Sequence, residues 1–222
     1  MEYLAARSRQ EIILKQKQKG DPTDRLLLVE HPHVFTLGLS GKKENLLNAG
    51  AVPCHSTGRG GDITYHGPGQ LVIYPLVDLK STLRKKVHTY LQNLEMSLIE
   101  TLSGFDIQAV RRPPWTGVWI GNRKIASIGI AVRKGITYHG AALNVNSDLS
   151  YFNRIVPCGL PWAEMTSMAR ELERALDFEQ VKEQFVESFI KRFRYSDFTR
   201  ACQDDTQTGS KLDPQEVQTI SV

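Results

Sequence analysis

Apolar positions recur with helical spacing in three parts of the chain. Good helix formers run from Glu2 to Lys19, with apolar residues set among charged ones, and Gly20 opens a Gly-Asp-Pro stop. Leucines and a valine between Val87 and Leu102 fall on one helix face, and Gly104 follows as a C-terminal stop. A similar pattern covers Phe178–Phe193. These patterns predict three helices, near the beginning, the middle and the end of the chain.

Short apolar and β-branched runs between the helical segments predict strands. They cover Leu26–Val29, Val34–Leu37, Ala51–Ser56, Ile63–Tyr65, Leu71–Leu79, Ile107–Val110, Gly117–Ile120, Lys124–Val132 and Ile136–Val145. Tight turns at Gly121-Asn122 and Lys134-Gly135 separate the last three runs, which is typical of antiparallel pairing. We therefore predict an α+β fold with a mixed, mostly antiparallel sheet and helices packed against one face. A doubly wound fold would need regular strand–helix alternation.

The length and composition favour one globular domain. The chain has 222 residues, of which 41% are hydrophobic and 23% charged. We expect a catalytic domain over residues 1–198 and a polar, disordered tail over 199–222, where four acidic residues outnumber two basic ones. No run reaches the roughly 18 apolar residues of a membrane span, and no apolar signal core opens the chain, so we expect a cytoplasmic protein without a membrane partner. The net charge of +4 is weak for a nucleic-acid binder and better suits an acidic protein partner.

The cysteines and histidines do not predict a metal centre. Cys54, Cys158 and Cys202 are an odd number at separations that match no zinc motif, so we expect free thiols in a reducing compartment. His31 and His33 alternate as strand residues do, but two ligands are too few. We expect Cys54 and Cys202 to be inert and the protein to hold no metal.

Three stretches have a composition that ordinary core and turn residues do not explain. They are RGGDITYHGPGQ (residues 59–70), RKIASIGI (123–130) and IVPCGL (155–160). Adjacent glycines allow a ligand to approach the main chain, whose amides can face an anionic or carbonyl oxygen. None of the three is a phosphate-binding loop, a zinc-protease helix or a dinucleotide fingerprint.

Together with EHPHVFTLG (30–38), ITYHGAALNVN (136–146) and DLSYFNRIVPCGL (148–160), these stretches resemble the lipoyl(octanoyl) transferases from about Tyr3 to about Phe193. The resemblance implies the fold of the biotin and lipoate protein ligase catalytic domain. It also implies transfer of an octanoyl group from octanoyl-acyl carrier protein to a lysine of lipoyl domains, the first step of endogenous lipoylation. The acceptors would be the lipoyl domains of 2-oxoacid dehydrogenases and the glycine-cleavage H protein, and no cofactor is implied.

The resemblance also implies roles for individual residues. Cys158 would form the octanoyl thioester, and Lys124 would be its catalytic partner. Substrate-binding residues would be Arg59, Gly60, Gly61, Tyr65, His66, Gly67, Ser127, Ile128, Gly129, His139, Gly140 and Ala141. Arg59, His66 and His139 have a second possible role, in which their side chains form hydrogen bonds that hold the glycine-rich loop at residues 57–62.

The chemistry of such a transfer fits these residue types. A thioester is already activated, so no ATP is needed, and a neighbouring ammonium favours the thiolate that attacks it. The incoming lysine is mostly protonated at neutral pH, and Lys124 could accept its proton. Backbone amides near Cys158 or in the glycine-rich loop could bind the oxyanion. The strands at 72–76 and 125–130 could line an apolar slot for the acyl chain.

Two other functions remain open at this point. An ATP-dependent lipoate or biotin protein ligase would share the fold and a lysine in the corresponding region, but it needs no cysteine nucleophile, so Cys158 favours the transferase. A non-enzymatic relative could bind lipoyl domains without turnover. The presence of Cys158, Lys124 and His66 argues against it.

Overall fold

The computed structural model describes residues 1–80, 86–196, 198–201 and 217–221. Within them, α1 covers Tyr3–Gln18, α2 Val87–Ser103, α3 Met168–Leu172 and α4 Phe178–Phe193. The three predicted helices are therefore confirmed, and α4 has the predicted bounds. The side chain of Asp177 accepts hydrogen bonds from the first amides of α4, which explains its sharp start. The short α3 was not predicted.

Twelve strands are present in the described part of the chain. They are β1 (Arg25–Val29), β2 (Val34–Leu37), β3 (Cys54–Ser56), β4 (Ile63–His66), β5 (Gln70–Leu76), β6 (Val110–Arg112), β7 (Trp115–Ile120), β8 (Arg123–Arg133), β9 (Ile136–Asn144), β10 (Glu164–Met165), β11 (Thr199–Ala201) and β12 (Val217–Ser221). The main sheet has the order β11-β12-β1-β5-β9-β8-β7-β6, and β10 pairs with β8 in parallel. A small second sheet has the order β3-β2-β4. The mixed, mostly antiparallel α+β architecture is as predicted.

The tail differs in part from its prediction as a disordered segment. β12 pairs antiparallel with β1, and β11 pairs with β12. The edge of β1 offers unpaired backbone groups, and the sequence VQTIS has the β-branched residues that suit a strand beside it. Cys202 and the acidic residues of the tail lie outside the described residues, and the domain boundary at 198 stays a prediction.

Helices cover both faces of the main sheet, so the prediction of a single covered face is wrong. α2 and α4 pack on the face that includes Leu26, Leu28, Leu71 and Ile73. α1 packs on the other face, which includes Leu27, Val29, Val72 and Tyr74. Successive residues of a strand point to opposite faces, and β1 and β5 are apolar at nearly every position, so each face needs a cover.

No described helix is long and apolar enough to cross a membrane.

The small sheet lies beside α1, where Tyr3 stacks on His55 of β3 and His66 of β4. The glycine-rich loop, residues 57–62, connects β3 to β4. This arrangement places the loop over β8, where the Gly60 amide donates to the Ile130 carbonyl at 2.8 Å.

Candidate functional site

Cys158 lies at the tip of a strained turn. Pro157–Gly159 forms a single 3₁₀ turn in which Cys158 has φ +56° and Gly159 has φ +68°. A non-glycine residue in this left-handed region is uncommon and costs conformational energy. The surrounding chain holds the turn in place, since the Val156 amide donates to the Asn45 carbonyl at 2.8 Å. This hydrogen bond anchors the segment that leads into the Cys158 turn.

A β-bulge turns Lys124 toward this loop. Val118 pairs with Ala126 and Trp119 with Lys124, so Ile125 is an extra residue in β8. Ile125 and Ala126 consequently both enter the core under α2 and α4. Without the bulge, strict alternation would place Lys124 on the face opposite to Ser127. With it, both side chains reach the same site.

The Lys124 amine lies next to the Cys158 thiol. Its Nζ is 3.3 Å from Sγ, and the lysine is only 3% exposed. The Trp119 ring lies below the ammonium, with Nζ 5.1 Å from the ring centroid, which stabilises a cation there. Ser127 Oγ lies 3.9 Å from the same sulfur. Glycine at 117 is required because a Cβ there would lie 2.6 Å from Lys124 Cε.

The glycine-rich loop supplies a second buried cation. The Arg59 guanidinium donates to the Thr36 carbonyl at 2.6 Å and to Gly60 O at 3.0 Å. Burial lowers the pKa of Arg59, and the negative charges of Asp62 and of Cys158 in its thiolate form act in the opposite direction. Arg59 therefore adds positive potential near the thiol while it also holds the loop by hydrogen bonds, and its role in substrate binding stays a prediction.

Asp62 joins the glycine-rich loop to the Cys158 turn. Its carboxylate accepts hydrogen bonds from the Ile63 amide at 2.6 Å and from Asn45 Nδ2 at 2.5 Å. A Cβ at Gly159 would lie 2.7 Å from Asp62 Oδ2, so only glycine allows this approach. Two motifs that are about 100 residues apart in the sequence are thus in direct contact.

Small residues on three adjacent strands form the floor of a cavity of about 450 Å³. Ser127 pairs with Ala142, Gly129 pairs with Gly140, and Val72 pairs with Ala142. Residues that face each other across antiparallel strands point to the same side. Two glycines and an alanine in this register leave a trough in the sheet surface, with Cys158 and Lys124 among its lining residues.

Hydrogen bonds connect His66 to the strand that carries Lys124. Gln70 Nε2 donates to Asn144 Oδ1 at 2.8 Å and to the Tyr65 carbonyl at 3.2 Å, so its Oε1 accepts from His66 Nδ1 at 2.7 Å. Asn144 in turn donates to the Thr166 carbonyl, and the Thr166 amide donates to the Lys124 carbonyl. Burial lowers the pKa of His66 to about 3 and that of His139 to about 4. Both imidazoles are therefore neutral at physiological pH.

The cavity brings together most of the predicted site residues. Those that line it are Cys158, Lys124, Arg59, Gly60, Gly61, His66, Ser127, Ile128, Gly129, His139, Gly140 and Ala141. Tyr65 and Gly67 do not. In β4 the neighbours Thr64 and His66 line the cavity, so Tyr65 points to the other side, where its hydroxyl meets His33 Nδ1 at 2.7 Å. Gly67 packs against the Tyr65 hydroxyl, which leaves no room for a Cβ.

Sequence reasoning missed several lining residues. They are Tyr3, Asp62, Thr64, Leu91, Pro114, Trp115, Thr116, Ala142 and Leu160. Alternation along β4 could have identified Thr64, since it shares a face with His66. Tyr3 carries no such signal, because its place depends on how α1 docks on the sheet. The described residues include no cluster of three or more histidine, cysteine or acidic side chains that could hold a metal ion.

The site can perform nucleophilic chemistry on a substrate with an extended apolar part. A thiol beside a buried ammonium is the arrangement that activates cysteine, and a mainly apolar trough next to it can accept an alkyl chain. The glycine-rich loop and the Cys158 turn both line the cavity, and backbone amides of such segments are the kind of donor that stabilises an oxyanion.

Comparison with known proteins identifies related chains. The model of the lipoyl protein ligase A/B catalytic domain matches residues 2–190. An octanoyltransferase of Solibacter usitatus is 45% identical over 201 residues, which is 88% of this chain and 90% of the relative. An octanoyltransferase of Cellvibrio japonicus is 45% identical over 179 residues, covering 81% of this chain and 83% of the relative.

Solved structures share the fold at low sequence identity. Lipoate-protein ligase A bound with ATP superimposes with a TM-score of 0.64 at 14% identity, covering 77% of this chain and 73% of that one. A lipoate protein ligase of Thermoplasma acidophilum with bound lipoic acid also gives a TM-score of 0.64 at 14% identity, with the same two coverages. At such identities the likeness concerns the fold alone.

Proposed function

This chain belongs to the family of lipoyl protein ligase A/B catalytic domains, and from that membership and its octanoyltransferase relatives we propose that it transfers an octanoyl group through a thioester on Cys158. It is an acyltransferase. The donor is octanoyl-acyl carrier protein, and the acceptors are lysines on the lipoyl domains of 2-oxoacid dehydrogenases and the glycine-cleavage H protein. The reaction takes place in the cytoplasm.

The observation that supports this proposal is the 3.3 Å approach of Lys124 Nζ to Cys158 Sγ beside an apolar trough. In the first half-reaction the Cys158 thiolate attacks the donor's thioester carbonyl. A bond forms between Sγ and the carbonyl carbon, the donor's carbon–sulfur bond breaks, and the donor leaves as a thiol after it takes a proton from Lys124. The octanoyl chain occupies the trough.

The second half-reaction returns the enzyme to its starting state. The amine of the acceptor lysine attacks the Cys158 thioester, and neutral Lys124 takes its proton. An amide bond forms and the carbon–sulfur bond breaks, which releases the thiolate beside the restored ammonium. Each tetrahedral intermediate carries an oxyanion, which backbone amides near Cys158 or in the glycine-rich loop stabilise. Because a thioester is converted to an amide, the transfer is downhill without ATP.

The test is mass spectrometry of the purified protein after incubation with octanoyl-acyl carrier protein. We expect one octanoyl group on Cys158 and none in Cys158→Ala, which should also fail to modify an apo-lipoyl domain. Cys54→Ala is the matched control, since this exposed thiol should be dispensable. Full transfer by Cys158→Ala would rule out the thioester mechanism, and strict dependence on ATP would favour a ligase instead.

A further inference from the structure

A cluster of three indoles holds a cation beside the reacting pair. The cluster consists of Trp115, Trp119 and Trp162, and the Arg112 guanidinium carbon lies 5.2, 5.6 and 4.8 Å from their ring centroids. The Trp119 ring also carries the Lys124 ammonium at 5.1 Å. Trp115 lines the acyl cavity. Arg112 therefore lies one indole away from the cation that contacts Cys158.

Most of the N–H donors of the Arg112 guanidinium form no hydrogen bond with the described residues. Among the described residues its guanidinium makes one hydrogen bond, from Nη1 to the Gly121 carbonyl, and this bond is long, at 3.5 Å. Neighbouring arginines are neutralised, Arg111 by Glu95 and Arg123 by Glu171. No carboxylate among the described residues forms an ion pair with Arg112. A guanidinium has five N–H donors in a planar fork that suits phosphate oxygens, and stacking on rings restricts its motion without using those donors.

The chemistry of the proposed donor supplies an anion that suits this cation. When the octanoyl chain fills the trough and its carbonyl is at Cys158, the rest of the donor must extend away from the trough. A carrier protein attaches its acyl group through a phosphopantetheine arm, which is a slender amide chain that ends in a phosphodiester. Trp162 is 42% exposed beside Arg112 and offers the arm an apolar surface. The lipoyl-domain acceptor has no phosphate to place there.

We propose that Arg112 binds the phosphate of the donor's phosphopantetheine arm, an inference that rests on the proposed function. The phosphate is remote from the reacting atoms and keeps its charge throughout the transfer. The contact therefore stabilises the bound donor and the transition state equally, which lowers KM and leaves kcat unchanged. Arg112 is a binding residue that selects phosphate-bearing donors.

The experiment compares three octanoyl donors with wild-type protein and Arg112→Gln. The donors are octanoyl-carrier protein, octanoyl-phosphopantetheine and octanoyl-pantetheine, of which the last lacks the phosphate. For Arg112→Gln we expect kcat/KM to fall about tenfold or more with both phosphate-bearing donors, through KM, because the charge-assisted hydrogen bonds to the phosphate are lost. Octanoyl-pantetheine should be used as well by the variant as by wild type. Arg25→Gln, which removes an arginine from an Asp21 pair elsewhere, is the charge-matched control.

Each other outcome has a distinct meaning. An equal loss with all three donors would show that Arg112 only supports Trp162, and a loss confined to the carrier protein would place the contact on the carrier's surface; either result overturns the proposal. If wild type uses octanoyl-phosphopantetheine and octanoyl-pantetheine equally well, the proposal is wrong. This comparison uses wild-type protein alone, so it does not depend on whether Arg112→Gln folds. If wild type transfers from none of the three donors, the proposed function itself is wrong.

Discussion

The Nζ atom of Lys124 lies 3.3 Å from the Sγ atom of Cys158, across 34 positions of sequence. The lysine comes from a bulged strand and the cysteine from a strained turn, so two local irregularities of the backbone meet at one point. The lysine is buried, the cysteine is half-buried and the Trp119 ring lies beside the ammonium, and partial removal from water strengthens the electrostatic interaction between an ammonium and a thiolate.

Replacing the lysine should reduce the reactivity of the thiol. Lys124→Met keeps a similar volume but removes the charge, and we expect alkylation of Cys158 at neutral pH to slow about tenfold or more because the thiolate loses its counter-ion. Above about pH 10, where an ordinary thiol is ionised, the rates of the variant and wild type should converge. The measurement is iodoacetamide labelling in a Cys54→Ala, Cys202→Ala background, which leaves Cys158 as the only cysteine of the chain. An unchanged rate at neutral pH would remove Lys124 from this role.

Gly117 should be required for the position of Lys124. It has φ +129°, and a Cβ there would lie 2.6 Å from both Lys124 Cε and the Ala126 carbonyl oxygen. We expect Gly117→Ala to cost about 1–3 kcal/mol of stability and to slow Cys158 alkylation. Gly121→Ala is the matched control, because Gly121 has φ +56° but open space around it. It should lose about 1 kcal/mol and keep wild-type thiol reactivity; equal reactivity in the two variants would contradict the prediction.

The floor of the trough should limit acyl length. Ala142 lies between Val72 and Ser127 across the sheet, and all three residues line the cavity or pair with residues that do. In the variant Ala142→Leu the longer side chain would therefore extend into the cavity. Excluding two methylenes at about 0.8 kcal/mol each should change the preference for octanoyl over butanoyl donors about tenfold in favour of the shorter chain. The measurement is the ratio of kcat/KM for the two donors. A ratio unchanged from wild type, in a variant that melts normally, would show that the chain binds elsewhere.

The buried histidines should make the protein sensitive to acid. Burial lowers the pKa of His31 to about 4, that of His66 to about 3 and that of His139 to about 4, from 6.5 in an exposed setting. Since the folded pKa values are the lower ones, the unfolded chain binds protons first as the pH falls. The stability from these neutral histidines is present above about pH 6.5 and is lost progressively below it.

Urea unfolding at about pH 7.5 and about pH 5 tests this linkage. Wild type should lose stability between the two, and His66→Gln should lose less, because one titrating group is gone. His88→Gln, which changes an exposed histidine on α2, should keep the wild-type difference. The same pH dependence in all three proteins would contradict the prediction that the buried, neutral His66 contributes to the loss of stability in acid.

Sequence periodicity determined most of the secondary structure. The helix at Phe178–Phe193 has its predicted bounds, and β1, β2 and β8 differ from theirs by at most a residue at each end. Helix and strand periods depend on neighbouring residues, so they can be read locally. The unusual composition of the glycine-rich loop and of the Ile155–Leu160 stretch also pointed to the cavity where both now lie.

Only the tertiary structure decided which side chains meet. The bulge at Ile125 places Lys124 on the same side as Ser127, and alternation from Thr64 to His66 turns Tyr65 away from the cavity. The approach of Trp162 to Arg112, and the addition of β12 to the edge of β1, join segments that are distant in sequence. Register, bulges and docking arise from packing between elements, and a one-residue change in strand register or a bulge exchanges the face of every side chain that follows in the strand.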